Sequence, residues 1–209
     1  MIKNYNSEQK FIKDGVGLIS EYIKQDVAEK GKAYVGLSGG STPIPFYKEL
    51  SKLEEGNVEY YVVDERKVPY DHENSNYKMI QDTLSPSKLS DFKTDLPVEK
   101  SLSDYASKLP QQFDLLILGI GEDGHFASIF PGTDLSTNQS VIYSETERFD
   151  VKQRLSMSAK TIMAARRLIV LLKNKAAVIE ELKSGNKPIA QFPSKILLNH
   201  PCLEILYLE

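Results

Sequence analysis

Cysteine and histidine are scarce in this chain, with one of the former and three of the latter. A lone thiol closes no internal disulfide, so the composition points to a reducing compartment. Scattered histidines and a single cysteine show no metal-ligand spacing, so no metal is expected. Also missing is any apolar run of the length a membrane helix needs. The opening Met1-Ile2-Lys3-Asn4-Tyr5 lacks the apolar core of a secretion signal, and a cytoplasmic location is the expectation. Net charge is small too: 26 Lys+Arg against 29 Asp+Glu leave −3. A chain so balanced has no global field to draw nucleic acid or acidic membrane, so neither is expected as a partner. Any anion it binds must be held by a local site. No coiled-coil seam marks an oligomeric state.

What is present is ordinary globular material, 41% hydrophobic and 26% charged over 209 residues, enough for one domain spanning 1–209. Phe11, Ile12, Ile19, Tyr22, Ile23 and Val27 recur at helical spacing over 7–30, and Gly31 is a plausible stop. A β-prone run at 33–37 breaks into a glycine-rich turn, and Pro43 or Pro45 opens the next helix. Further strands are expected at 58–63, 113–118, 141–144, 155–158, 168–172 and 202–208, with helices near 77–84, 102–109, 161–165 and 175–183. Strands alternating with helices predict an α/β fold, a single, mostly parallel, Rossmann-like sheet with helices on both faces. Residues 85–100 read as a surface excursion, and Cys202 as a small core residue of the last strand. Ligands of such sheets bind beyond the carboxyl ends of the strands. The loops at 38–43, 64–69 and 119–130 all fall there, so one pocket can gather them.

Two short patterns in these loops mislead. Gly36-Leu37-Ser38-Gly39-Gly40 imitates a nucleophile elbow, and Ser38, Asp123 and His125 follow the matching chain order. An aspartate two residues before the histidine is poorly placed to orient the imidazole from behind, which argues against a serine nucleophile. Gly119-Ile120-Gly121-Glu122-Asp123-Gly124 imitates a dinucleotide fingerprint, yet Glu122 and Asp123 would repel a pyrophosphate.

Ser38-Gly39-Gly40-Ser41-Thr42-Pro43 suits a phosphate. Its glycines let backbone N–H groups approach an anion, Ser41 and Thr42 add hydroxyls, and the next helix offers its positive end. The bland alternative is a turn that needs flexible residues and a cap. In Gly121-Glu122-Asp123-Gly124-His125-Phe126-Ala127-Ser128 an imidazole sits between tight turns, where it could take a proton from water near neutral pH. His72, among polar residues, and His200, before Pro201, carry no such promise.

Together these blocks carry a resemblance. The 38–43 turn, Asp64-Glu65-Arg66 with Val68-Pro69 and Ser75-Asn76-Tyr77, the stretch from Gly119 to Gly132, and Arg154-Leu155-Ser156-Met157-Ser158 follow one another as in the glucosamine-6-phosphate deaminase/6-phosphogluconolactonase superfamily. The deaminases continue the Asp-Gly-His turn as Ile-Ala-Phe-Asn-Glu-Pro-Gly and carry Asp-Glu-Tyr. Here Phe126-Ala127-Ser128-Ile129-Phe130-Pro131-Gly132 and Asp64-Glu65-Arg66 resemble the lactonase branch instead. The resemblance implies hydrolysis of 6-phospho-D-glucono-1,5-lactone in the oxidative pentose phosphate route, without cofactor. It implies His125 as general base, with Arg66 and Asp64 near the substrate's polar groups. Ser38, Gly39, Gly40, Ser41, Thr42, Asp123, Gly124, Arg154, Arg166 and Lys175 are implied as substrate or phosphate ligands. Where the family has Thr-Gly-x-x-Lys-Ala this chain has Leu172-Lys173-Asn174-Lys175-Ala176, so Lys173 competes with Lys175 for the phosphate. A deaminase or isomerase of the same fold and a non-catalytic sugar-phosphate sensor are the competing readings.

Overall fold

The structure, a computed structural model, describes residues 1–53 and 56–209. Helix α1 (Glu8–Lys30) starts where Ser7 caps the N–H of Lys10 at 3.4 Å and stops at Gly31, whose φ of 78° turns the chain out. It buries Phe11, Ile19 and Ile23 as the spacing predicts. Strands β1 (Ile2–Tyr5), β2 (Ala33–Leu37), β3 (Val58–Val62), β5 (Leu89–Ser90), β6 (Leu115–Leu118), β9 (Leu168–Lys173) and β10 (Leu203–Leu208) form one parallel sheet, ordered β1-β10-β9-β6-β2-β3-β5. Its central strands read as unbroken apolar runs because both faces are covered. Helices α1, α2 (Ile44–Leu50) and α3 (Asn76–Thr83) pack one face; α4 (Val98–Lys108), α5 (Ala159–Met163) and α6 (Ala176–Ser184) pack the other.

From β2 the chain moves outward to β3 and β5, then returns to β6 on the opposite side of β2. The loops after β2 and β6 therefore diverge, opening a crevice at the carboxyl edge. That topology positions the site.

The expectation of one sheet needs correction. Strands β4 (Asp64–Arg66), β7 (Val141–Glu145) and β8 (Gln153–Met157) form a separate antiparallel sheet ordered β4-β8-β7. The connection 146–152 is too short for a parallel crossover, so β7 and β8 pair as a hairpin. Strands β4 and β5 are too short to show a period in sequence. The 85–100 excursion holds β5 and the start of α4, and a 3₁₀ helix spans Pro193–Asn199. Cys202 is exposed, because β10 begins one residue later.

Candidate active site

The three loops do share one cleft, of about 1030 Å³, at the carboxyl ends of β2, β6 and β9. Ser38, Gly39, Gly40, Ser41 and Thr42 line one side; Asp64, Arg66, Asp123 and His125 line it too, as do Lys173 and Lys175.

His125 is held by its own turn. Gly121 donates to the His125 carbonyl at 2.8 Å and Gly124 donates to the Gly121 carbonyl at 2.9 Å. A methyl group at Gly121 would fall 2.0 Å from the imidazole Cε1, so the ring's position demands glycine there. Asp123 Oδ1 lies 2.5 Å from His125 Nδ1 and also accepts the His125 N–H at 3.2 Å. The expectation that this aspartate is poorly placed to orient the ring is overturned. The tight turn folds its carboxylate back beneath the imidazole. Desolvation alone would raise Asp123, but the hydrogen bond and charge of His125, helped by Arg148, hold it down at about 2. It stays ionised and fixes the proton on Nδ1, leaving Nε2 as an acceptor. Phe130 and Phe149 wall the ring at 5.0 and 5.7 Å between centroids.

The β4–β8 pairing supplies the second part of the site. Asp64 stands opposite Ser156 and Arg66 opposite Arg154 in the register. Asp64 Oδ2 accepts from the Ser128 hydroxyl at 2.7 Å, tying β4 to the histidine loop. Arg66 donates to the Asn74 carbonyl at 2.8 Å. Arg154 is buried behind the Phe149 ring, 5.6 Å from its centroid, and does not line the cleft. Its Nη1 has no hydrogen-bond partner among the described residues. Burial and the nearby Arg66 charge push Arg154 down to about 10, with Asp64 and Glu65 opposing, so it remains cationic at neutral pH. Glu65 points away from the cleft and accepts the N–H groups of Arg66, Asn76 and Tyr77 at 2.7–2.8 Å.

The third part is the 38–42 turn. The Ser38 carbonyl accepts from the Tyr47 hydroxyl at 2.9 Å, while the buried Ser38 Oγ has no partner among the described residues. Helix α2 runs only from Ile44 to Leu50, so its positive end adds less than the sequence suggests. Across the cleft, Asn174 adopts φ 55° and sends its two lysine neighbours apart. Lys173 pairs with Glu8 at 2.6 Å, whereas Lys175 donates to the Ile120 carbonyl at 2.5 Å, beside the histidine loop. Burial lowers Lys175, and the charges of Glu122 and Asp123 oppose that.

Besides Arg154, two expected ligands lie elsewhere. Arg166 precedes β9 and so sits at the amino edge, bound to Asp26 at 2.5 Å and Glu29 at 2.9 Å. Gly124 faces the Phe192 ring behind the turn, its carbonyl accepting from Ser194 at 2.9 Å. Conversely, Asn76, Arg148 and Phe149 line the cleft without having been singled out as ligands. Arg148 Nη1 stands 2.9 Å from Asp123 Oδ2. Its one sequence signal is an aromatic inside the polar hairpin tip Glu147-Arg148-Phe149-Asp150. Among the described residues no group of three metal-binding side chains comes together, and no helix is long and apolar enough to cross a membrane.

An α/β sheet with an aspartate-oriented imidazole and a hydroxyl-lined glycine turn in one cleft defines a protein built for small anionic substrates. The chain belongs to the family of glucosamine-6-phosphate isomerases and 6-phosphogluconolactonases, whose model matches residues 6–204. A 6-phosphogluconolactonase of Neisseria meningitidis serogroup A is 30% identical over 203 residues, covering 87% of each chain. The crystal structure of a Thermotoga maritima 6-phosphogluconolactonase superposes with a TM-score of 0.87 at 25% identity, covering 100% of this chain and 99% of that one. A monomeric glucosamine-6-phosphate deaminase shares the fold alike, with a TM-score of 0.86 at 22% identity over 100% of this chain and 97% of its own. The fold alone does not choose between the two activities.

Proposed function

We propose that the chain hydrolyses 6-phospho-D-glucono-1,5-lactone to 6-phospho-D-gluconate in the oxidative pentose phosphate route. The observation that carries this reading is the Asp123–His125 contact of 2.5 Å in the cleft lined by the 38–42 turn. It supplies a base at one end and an anion clamp at the other. Family membership and the two lactonase relatives support the same reading. Against a deaminase stands Phe130, which occupies the place of the deaminases' acidic residue and packs its ring 5.0 Å from the imidazole. Against a passive sensor stands the oriented imidazole itself, which binding alone does not require.

In this reaction His125 Nε2 takes a proton from water as the water oxygen adds to the lactone carbonyl. Asp123 stabilises the imidazolium so formed. The tetrahedral oxyanion meets Arg66, since the N–H groups of Gly124 and His125 are already given to the Gly121 carbonyl and to Asp123. Collapse breaks the ring C–O bond, and the imidazolium returns its proton to the departing alkoxide. Atoms balance as lactone plus water giving the free acid, which ionises. Ser41, Thr42, the glycine N–H groups and Lys175 hold the phosphate, which does not react but orients the carbonyl. Asp64, tied to Ser128, and Arg154, behind Phe149, shape the carbonyl end. Lys175 is preferred to Lys173, because the latter is already paired with Glu8.

The same reading takes 1–209 as one domain in the cytoplasm, with no nucleic-acid or membrane partner. It also takes the sheet as Rossmann-like, since β5-β3-β2-β6-β9-β10 reproduces the 3-2-1-4-5-6 order of that fold, with β1 added at the edge. The test is lactone opening measured above the spontaneous background. His125→Ala is expected to lower kcat by about 10²–10⁴-fold with little change in KM. An unchanged kcat would refute the base assignment.

A further inference from the structure

Asn76 lies between the two halves of the cleft, although it belongs to neither the glycine turn nor the histidine loop. It is 1% exposed overall, yet it reaches the cleft wall. Its Nδ2 donates to the Asp64 carbonyl at 2.7 Å, on the strand that carries Arg66. Its Oδ1 lies directly under the phosphate turn, where a methyl group on Gly39 would come within 1.8 Å of it. The turn thus rests on the amide with no space between. Asn76 is itself immobilised, because its N–H donates to Glu65 Oε1 at 2.7 Å. The same carboxylate accepts the Tyr77 N–H at 2.7 Å and the Ser75 hydroxyl at 3.3 Å, so it grips the start of α3.

We propose that Asn76 is a positioning residue that fixes the spacing between the anion turn at Gly39 and the carbonyl end at Asp64 and Arg66. It thereby sets the length of sugar phosphate whose carbonyl reaches His125. This rests on the activity proposed above. The amide is a rigid spacer, packed on one side and hydrogen-bonded on the other. Replacing it with a smaller group lets the phosphate turn settle inward and draws the carbonyl out of line with the base. A misplacement on the order of 1 Å is enough to cost about 100-fold in rate. A substrate not anchored at the phosphate turn is insensitive to that distance.

The test compares hydrolysis of 6-phosphogluconolactone and of unphosphorylated glucono-1,5-lactone by wild type, Asn76→Ala and Asn76→Ser, each checked for folding by circular dichroism. The expected result is a fall in kcat of about 10- to 100-fold for the phosphorylated lactone, against less than about threefold for the other. Inhibition by inorganic phosphate, which needs only the turn, is expected to stay within about twofold of wild type. An equal fall for both lactones, or no fall for either, overturns the proposal. If Asn76→Ala does not fold, Asn76→Ser, which keeps a polar group at the site, carries the same comparison. Should both variants fail to fold, Asn76 is a structural residue and the proposal is overturned. Should the wild type hydrolyse neither lactone, the proposed activity fails. The spacing is then read by calorimetry: Asn76→Ala must weaken 6-phosphogluconate, which spans both ends, by about fivefold or more and spare inorganic phosphate. Equal weakening of both ligands, or of neither, overturns it.

Discussion

The two edges of the parallel sheet treat charge in opposite ways. At the amino edge it is closed on itself. The fully buried Asp26 accepts from Arg166 at 2.5 Å and Arg167 at 2.7 Å; Lys30 reaches Asp114, and the Arg167 guanidinium lies 4.6 Å over the Tyr22 ring. At the carboxyl edge Asp123 is paired with His125 and Arg148, and Lys173 with Glu8, but part of the charge is left open. Arg66 faces Arg154 across the strand register, and Arg154 Nη1 and Ser38 Oγ are buried without partners among the described residues. Unpaired buried polar groups and facing like charges cost stability, so an edge that keeps them has another use for them. Closed charge holds the fold; under the proposed function, the open charge of Arg66 is what the substrate meets.

That contrast can be broken or sharpened by substitution. The largest expected effect is at the carboxyl edge. Asp123→Asn leaves the ring without its anionic partner and is expected to lower kcat by about 10²–10⁴-fold in protein that still folds by circular dichroism. A near-normal kcat would make the 2.5 Å contact irrelevant to turnover. At the amino edge the sign of the outcome reverses. Asp26→Ala removes the buried carboxylate shared by Arg166 and Arg167, which keep Glu29 and Gln25, and is expected to cost about 1.5–3 kcal/mol in urea unfolding, with kcat and KM of the folded protein unchanged. Altered kinetics there would show that the edges are not independent.

Smaller effects discriminate within the cleft. Lys175→Ala is expected to raise KM about tenfold with kcat nearly kept, since the phosphate is a handle rather than a reacting group. A larger effect from Lys173→Ala would reverse the choice between the two lysines. The smallest concerns Glu65, which burial pushes from the ordinary 4.5 up to about 7, against the N–H donors of Tyr77, Asn76 and Arg66. The folded protein keeps this proton while the unfolded chain releases it, so stability falls as pH rises from about 4.5 to about 7. The protonated group's contribution is present below that window and gone above it. Asp123, held at about 2, loses its contribution only under stronger acid, outside the window. Urea midpoints at pH 5 and pH 8 are expected to differ less in Glu65→Gln than in wild type. Identical pH slopes would contradict the burial argument.

The sequence made some of this legible and hid the rest for physical reasons. Long elements with full periods, such as α1 and the apolar strands β6 and β9, fall within a residue or two of expectation, and the convergence of three loops followed from them. Two- and three-residue strands carry no period, so β4 and β5 stayed hidden, and with β4 the antiparallel sheet that sets Asp64 and Arg66 opposite Ser156 and Arg154. The Asp123 reading failed because spacing along a chain says little about a turn that doubles back within two residues. Arg166 illustrates the opposite error. It matches an expected phosphate-binding arginine in composition, yet a residue just before a strand lies at the wrong edge of the sheet. Arg148 and Phe149 come from a hairpin tip, and only the fold brings that tip to the imidazole.

The most direct test of the account is a crystal structure with 6-phospho-D-gluconate bound. The phosphate is expected against Ser41, Thr42 and the glycine N–H groups, with the C1 carboxylate accepting from Arg66 and lying beside the Nε2 edge of His125. A sugar phosphate seated with its carboxylate remote from His125, or bound outside the 38–42 turn, would contradict it.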